Sequence, residues 1–141
     1  MPLDKEAVVL DFLNLFHGDQ WPDFDEAAAM FTEDCVCYVV YPTTPPVKGR
    51  QALKEELQRQ ARDSSLPKVE IKAVASNGRQ VFVERVDSFI TLGKPLSICI
   101  NGVFDVTDDG LIAGWREYMD PMTTARQLGI SFDDLAKLLE G

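Results

Sequence analysis

Val81-Phe82-Val83-Glu84-Arg85-Val86-Asp87-Ser88-Phe89-Ile90, entered from Asn77-Gly78, is the stretch on which the fold turns. Asn-Gly is the strongest short hairpin signal, and the run behind it is β-branched and aromatic, so it reads as a strand. Side chains alternate across a strand, which puts Val81, Val83, Arg85, Asp87 and Phe89 on one face. Phe82, Val86 and Ile90 take the other face, with Glu84 and Ser88. Both faces are largely apolar, and one of them carries an Arg and an Asp whose Cβ atoms lie about 6–7 Å apart. A charged pair among Val, Val and Phe is costly to bury unless it is paired. Two readings fit: a structural ion pair at the sheet margin, half in water, or a water-activating carboxylate held by arginine.

The chain around this strand has 141 residues, enough for one core and one domain spanning 1–141. Its 45% apolar and 26% charged residues are ordinary globular values. A net charge of −9 argues against nucleic acid and against an anionic membrane as partners. Three cysteines give no disulfide framework, and with a single histidine they make no convincing metal set. They read as small buried hydrophobes of a reducing compartment. Acids in Met1-Pro2-Leu3-Asp4-Lys5-Glu6 interrupt the apolar run a signal peptide needs, and no stretch reaches transmembrane length. The expectation is a soluble cytoplasmic protein.

Before the central strand, Asp4 can cap a helix with a stripe of Val8, Val9, Phe12, Leu13 and Phe16, with His17 in its last turn as a cap and Gly18 as its stop. Asp23 and Glu26 have capping-box spacing ahead of a short second helix. Cys35 to Tyr41 reads as a strand, on which Cys35 and Cys37 point one way while Tyr38 and Val40 share a face, and Pro42-Thr43-Thr44-Pro45-Pro46 ends it. Gly49 to Arg62 reads as a helix with Leu53 and Leu57 inward and a solvated basic face, Glu55 and Arg59 lying at the i, i+4 spacing. From Pro67 the period changes to two: Val69, Ile71, Ala73 and Ala75 alternate, and turns at 77–78, 93–95 and 108–110 link four strands into an antiparallel meander. Two short helical segments, Met122 to Gln127 and Ser131 to Glu140, close the chain. The order predicts an α+β fold, helices covering one face of a curved antiparallel sheet and leaving a pocket at the open end.

The last strand offers the third charge. In Gly114-Trp115-Arg116-Glu117-Tyr118-Met119-Asp120, parity puts Trp115, Glu117 and Met119 together, with Arg116 free to pair with Glu84 or Asp120 on the other side. If Glu117 shares a cavity with Arg85 and Asp87, two carboxyls flank one guanidinium, and their environments can leave one ionised as base and one protonated as acid. The cavity walls expected by parity are Val40, Val83, Phe89, Ile98, Ile100, Trp115 and Met119.

Glu84-Arg85-Val86-Asp87, Gly102-Val103-Phe104 and Gly114 to Asp120, with Glu33-Asp34 ahead of the first strand and Gly49-Arg50 opening the third helix, resemble limonene-1,2-epoxide hydrolase and its relatives. These sit within the SnoaL-like, nuclear-transport-factor-2-like and ketosteroid-isomerase-like group, and the resemblance covers nearly the whole chain. It implies a cone-shaped, cystatin-like domain, pairing as a homodimer, that binds a small apolar substrate and needs no cofactor. It also implies one-step hydrolysis in which Asp87 takes a proton from water, Arg85 bridges the carboxyls, and Glu117 stands where the family has an aspartate that protonates the epoxide oxygen. Tyr38 matches a tyrosine that holds the water, and Val40 stands where the family has an asparagine. The alternatives are an isomerase or cyclase using Asp87 as a carbon-acid base, and a non-catalytic ligand cup.

Overall fold

The computed structural model describes residues 3–140. Helices α1 (Lys5–Leu13) and α2 (Phe24–Ala28) precede strand β1 (Phe31–Tyr38), the two-residue β2 (Val47–Lys48) and helix α3 (Arg50–Arg62). The meander β3 (Ser64–Ser76), β4 (Gln80–Thr91), β5 (Lys94–Val106) and β6 (Ile112–Met119) follows, and α4 (Pro121–Leu128) and α5 (Phe132–Glu140) end the chain. Local chemistry sets the helix starts. Asp4 accepts from the Ala7 amide, Asp23 from Asp25 and Glu26, Asp120 from Met122, and Ser131 from Asp134. No helix among the described residues is long and apolar enough to cross a membrane.

The six strands lie in the order β2-β1-β6-β5-β4-β3. Every neighbour pair is antiparallel except β1 with β6, which is parallel, so the antiparallel expectation is corrected at one edge of the meander. Helices α1, α2 and α3 pack on the inner face around Phe12, Phe31, Leu53, Val81, Phe104 and Ile112. A second cluster joins Leu96, Ile98 and Ile100 of β5 to Ala125 and Leu128 of α4 and Leu135 of α5. These burials supply the hydrophobic drive of the fold at about 25 cal/mol per Å² of apolar surface.

Several local expectations change. Strand β1 starts at Phe31, so Glu33 and Asp34 lie within it, and it stops at Tyr38. It stops because a turn captures the next backbone groups: Thr44 Oγ1 takes the Val40 N–H and the Thr44 N–H donates to the Val40 carbonyl. Helix α1 ends at Leu13, capped by the Asn14 N–H, which leaves His17 exposed beyond it and capping nothing in the helix. A register shift between Ile71 and Ala73 turns Val74 inward, opposite Val83, and leaves Ala73 and Ala75 exposed. Cys35 and Cys37 are buried, but Cys99, on the outer face of β5, is exposed.

Candidate active site

The ladder of the meander fixes the spacing of the charged groups. Across β4, β5 and β6 one inward row reads Val83, Gly102, Glu117, and the next reads Arg85, Ile100, Met119. To reach Glu117, the Arg85 side chain must cross Gly102. A Cβ at that glycine would lie 2.7 Å from Arg85 Nη1 and 2.9 Å from Phe104 Cε1, so the strand interior needs glycine for close approach. Arg85 then spans both acids: Nε donates to Asp87 Oδ1 at 3.0 Å, and Nη2 donates to Asp87 Oδ2 at 3.2 Å and to Glu117 Oε1 at 2.5 Å. The arginine side chain is 2% exposed, Glu117 8% and Asp87 20%, so Asp87 is the carboxylate facing the opening.

Burial pushes both carboxyls above their usual range, and the Arg85 charge opposes that shift without cancelling it. Burial also works against the Arg85 charge, but the two carboxylates outweigh it and keep the guanidinium protonated. Asp87 acts on Glu117 as a like charge, a further push upward, and the Trp115 indole pulls slightly the other way. The pair therefore favours holding one proton between its two carboxyls at a pH where exposed carboxyls are bare. A stability test follows from the sign. Between the ordinary carboxyl value and the raised native one, the folded state holds a proton that the unfolded chain has lost, so stability falls as pH rises through that window. Glu117→Gln removes this contribution. Its melting temperature relative to the parent should rise as pH increases above the ordinary carboxyl range, and a difference that stays flat in thermal melts would show that burial does not control this group.

Around the charges is an apolar cavity of about 210 Å³. On the sheet side it is lined by Phe89, Ile98, Ile100, Trp115 and Met119, as parity expects. Trp115 is held by a stacked Phe104 at 5.3 Å and an edge-on Phe12 at 5.2 Å. Val83 and Val40 do not line it. Val83 is fully buried behind Arg85 in the main core, and Val40 is buried in the Thr44 turn, so Val39 faces the cavity in its place.

Tyr38 borders the cavity, but its register with Arg116 sends its side chain to the other face. Its ring packs edge-on against Tyr41 at 4.9 Å, and Tyr41 in turn contacts Tyr118 at 5.2 Å. The inward residue is Cys37, in register with Trp115 and close enough to Glu117 for that carboxylate, after the Cys35 thiol and burial, to help push its thiol pKa up. Arg116 pairs with Asp105 at 2.8 Å on the outer face, in place of Glu84 or Asp120. On the helix side the cavity meets Leu13 and Leu57, which periodicity reads as inward, and Trp21, Leu135 and Leu139, which it does not single out. The signal for Cys37 was present in the shared parity of Cys35 and Cys37; the helix contributions had none, because a helix stripe announces burial without saying against what.

A model of the limonene-1,2-epoxide hydrolase catalytic domain matches residues 4–129. The chain belongs to that family. Within the limonene-1,2-epoxide hydrolase family it is similar to an epoxide hydrolase of the same type from M. tuberculosis, with 27% identity over 89% of this chain and 92% of that one and a TM-score of 0.72. Two more distant structures share the fold. SalBIII, an epoxide hydrolase/cyclase-like enzyme of pyran ring formation in salinomycin, is 17% identical with a TM-score of 0.71, covering 84% of this chain and 92% of that one. A hypothetical protein with the ketosteroid isomerase-like fold from Catenulispora acidiphila is 17% identical with a TM-score of 0.77, covering 89% and 95%. Family membership supports an activity of the epoxide hydrolase type.

Proposed function

We propose that the chain hydrolyses a small apolar epoxide to a vicinal diol in one step, without a cofactor. The observation that carries this reading is one buried guanidinium joining two carboxyls of unlike exposure inside an apolar cup. Asp87, the more open acid, takes a proton from water as the water oxygen attacks an epoxide carbon. Glu117, the buried and protonated one, gives its proton to the epoxide oxygen as the C–O bond breaks. Arg85 fixes the distance between them, and its charge lets Asp87 remain a base despite burial. After the diol leaves, the proton on Asp87 returns to Glu117 and the site is reset. Glu117 Oε2, Arg85 Nη1, the Trp115 N–H and Thr124 Oγ1 are buried without hydrogen-bond partners among the described residues and belong to residues that line the cavity, which makes them polar atoms available to a substrate oxygen. The cavity lies below the roughly 300–1,000 Å³ typical of drug-sized ligands, which favours a compact substrate.

A second reading has one observation in its favour. At the end of β1 the side chains turned to the cavity are Cys37 and Val39, neither of which carries a side-chain carbonyl or hydroxyl to hold a water. A nucleophile carried by the substrate, or proton abstraction from carbon by Asp87, needs no such holder, and the fold shared with SalBIII is compatible with a cyclase.

The two readings separate in isotopically labelled water. Incubation with terpene and cycloalkene oxides should give diols bearing one solvent oxygen. Absence of diol from the whole panel, together with cyclised product or solvent deuterium entering a ketone, would replace hydrolysis with the second reading.

A further inference from the structure

Helix α5 lies outside the matched residues 4–129, yet it contributes Leu135, Leu138 and Leu139 to the cavity. Its position can be traced from both sides. At one end Leu135, 2% exposed, packs with Leu96, Ile98 and Ile100 of β5. At the other, Arg59 in the last turn of α3 donates from Nη1 to the Leu138 carbonyl and from Nη2 to the Leu139 carbonyl, both at 3.0 Å. Helix α5 thus crosses from the sheet to α3. Along β4 the inward residues run Val81, Val83, Arg85, Asp87 and Phe89, and the last of these packs in the same cluster as Leu135. The span therefore covers the cavity on the Phe89 side of Asp87, away from the main core.

The basic face of α3 is not simply solvated, as its spacing suggested. Arg59 bypasses Glu55 and is gripped by Glu56, Nε to Oε1 at 3.0 Å and Nη2 to Oε2 at 2.7 Å, while the Gln60 amide donates to the same carboxylate at 2.8 Å. Its side chain is 19% exposed and that of Glu56 14%. A guanidinium held this way presents its remaining N–H groups in a fixed direction, and the free carbonyls at a helix C-terminus are what such donors satisfy.

We propose that α5 is the specificity wall of the cavity: Leu138 and Leu139 set the largest substrate admitted, and Arg59, oriented by Glu56, is the positioning residue that fixes the wall. The substrate class is then a compact cyclic epoxide, with epoxides bearing a long alkyl arm excluded. This assignment rests on the hydrolase reading for its chemistry, but the wall itself is a statement about fit. Removing one or two methylenes from a packed pocket changes discrimination by about tenfold or more.

The test uses Leu138→Ala/Leu139→Ala and, separately, Arg59→Met, each checked for a cooperative melt. For cyclohexene oxide against 1,2-epoxydodecane, the ratio of kcat/KM should move by about tenfold toward the long substrate, chiefly through its KM. Binding of n-alkane-1,2-diols of increasing length, followed by calorimetry, should show the length cut-off extended in both variants. A ratio and a cut-off that stay at parental values in two folded variants would overturn the wall. If the parent turns over neither epoxide but the diol cut-off still moves, the wall stands and the hydrolase reading falls. Loss of folding in the double variant leaves Arg59→Met to decide, since that change keeps the stem and removes the grip on the carbonyls together with the Glu56 pair that orients it.

Discussion

Asp87→Asn should lower kcat for epoxide opening by about 10²–10⁴-fold, the range of a lost general base. The amide keeps the size of the side chain and one acceptor for the Arg85 fork, whose contacts to Asp87 measure 3.0 and 3.2 Å. Packing is therefore retained, and the loss falls on proton transfer. Because Glu117 is untouched, KM should change much less than kcat, the pattern of an interaction realised in the transition state. Both carboxyls sit above their usual range, so the parent activity should follow a bell in pH, falling on the acid side as the pair gains its second proton and on the alkaline side as it loses the first. Asp87→Asn should abolish the acid limb of that bell in whatever activity remains. Product quantification across pH for both proteins makes the comparison, and a variant within tenfold of the parent, with its acid limb intact, would remove Asp87 from the role of base.

The largest effect on stability belongs to Arg85→Met. Methionine fills much of the volume, but it leaves Glu117 and Asp87 facing each other without a cation in a site where the arginine is 2% exposed. Breaking a buried pair from one side costs about 3–5 kcal/mol, which for a chain of this size lowers the melting temperature by about 10 °C or more. The deficit should shrink in acid, where the two carboxyls take up protons and no longer need the cation. Lysine should rescue little, since one ammonium cannot fork to two acids on different strands. Chemical melts at two pH values decide it. A loss that does not depend on pH would assign the effect to packing.

How far the sequence disclosed this arrangement depends on the range over which each interaction acts. The meander was legible because its determinants are local: Asn77-Gly78, with Gly78 at φ 91°, and strict alternation through β4 and β5. Parity put Arg85 beside Asp87 and left it conditional that Glu117 shares their cavity, and the structure brings the three together. Parity failed where a strand departs from regularity. The shift at Ile71/Ala73 reversed the faces of β3, and the Thr44 turn ended β1 before the alternation reached Val40. Matching by motif put Tyr38 at the site, whereas its pairing with β6 turns it outward and makes Cys37 the inward neighbour. The parallel β1–β6 pairing and the grip of Arg59 on α5 join residues 78 or more positions apart in the chain, as with Tyr38 and Arg116, and no local pattern encodes them.

Both carboxyls and the guanidinium that links them are carried on β4 and β6, with Gly102 of β5 between, so their separation is dictated by an interstrand ladder and not by any connecting segment. Reactive groups mounted on regular elements keep their geometry better than groups on loops. Helices α3 and α5 can therefore drift, by selection or by design, to accommodate new molecules while the reacting atoms stay in place. A lineage built this way can diversify what it consumes without relearning how to open a ring.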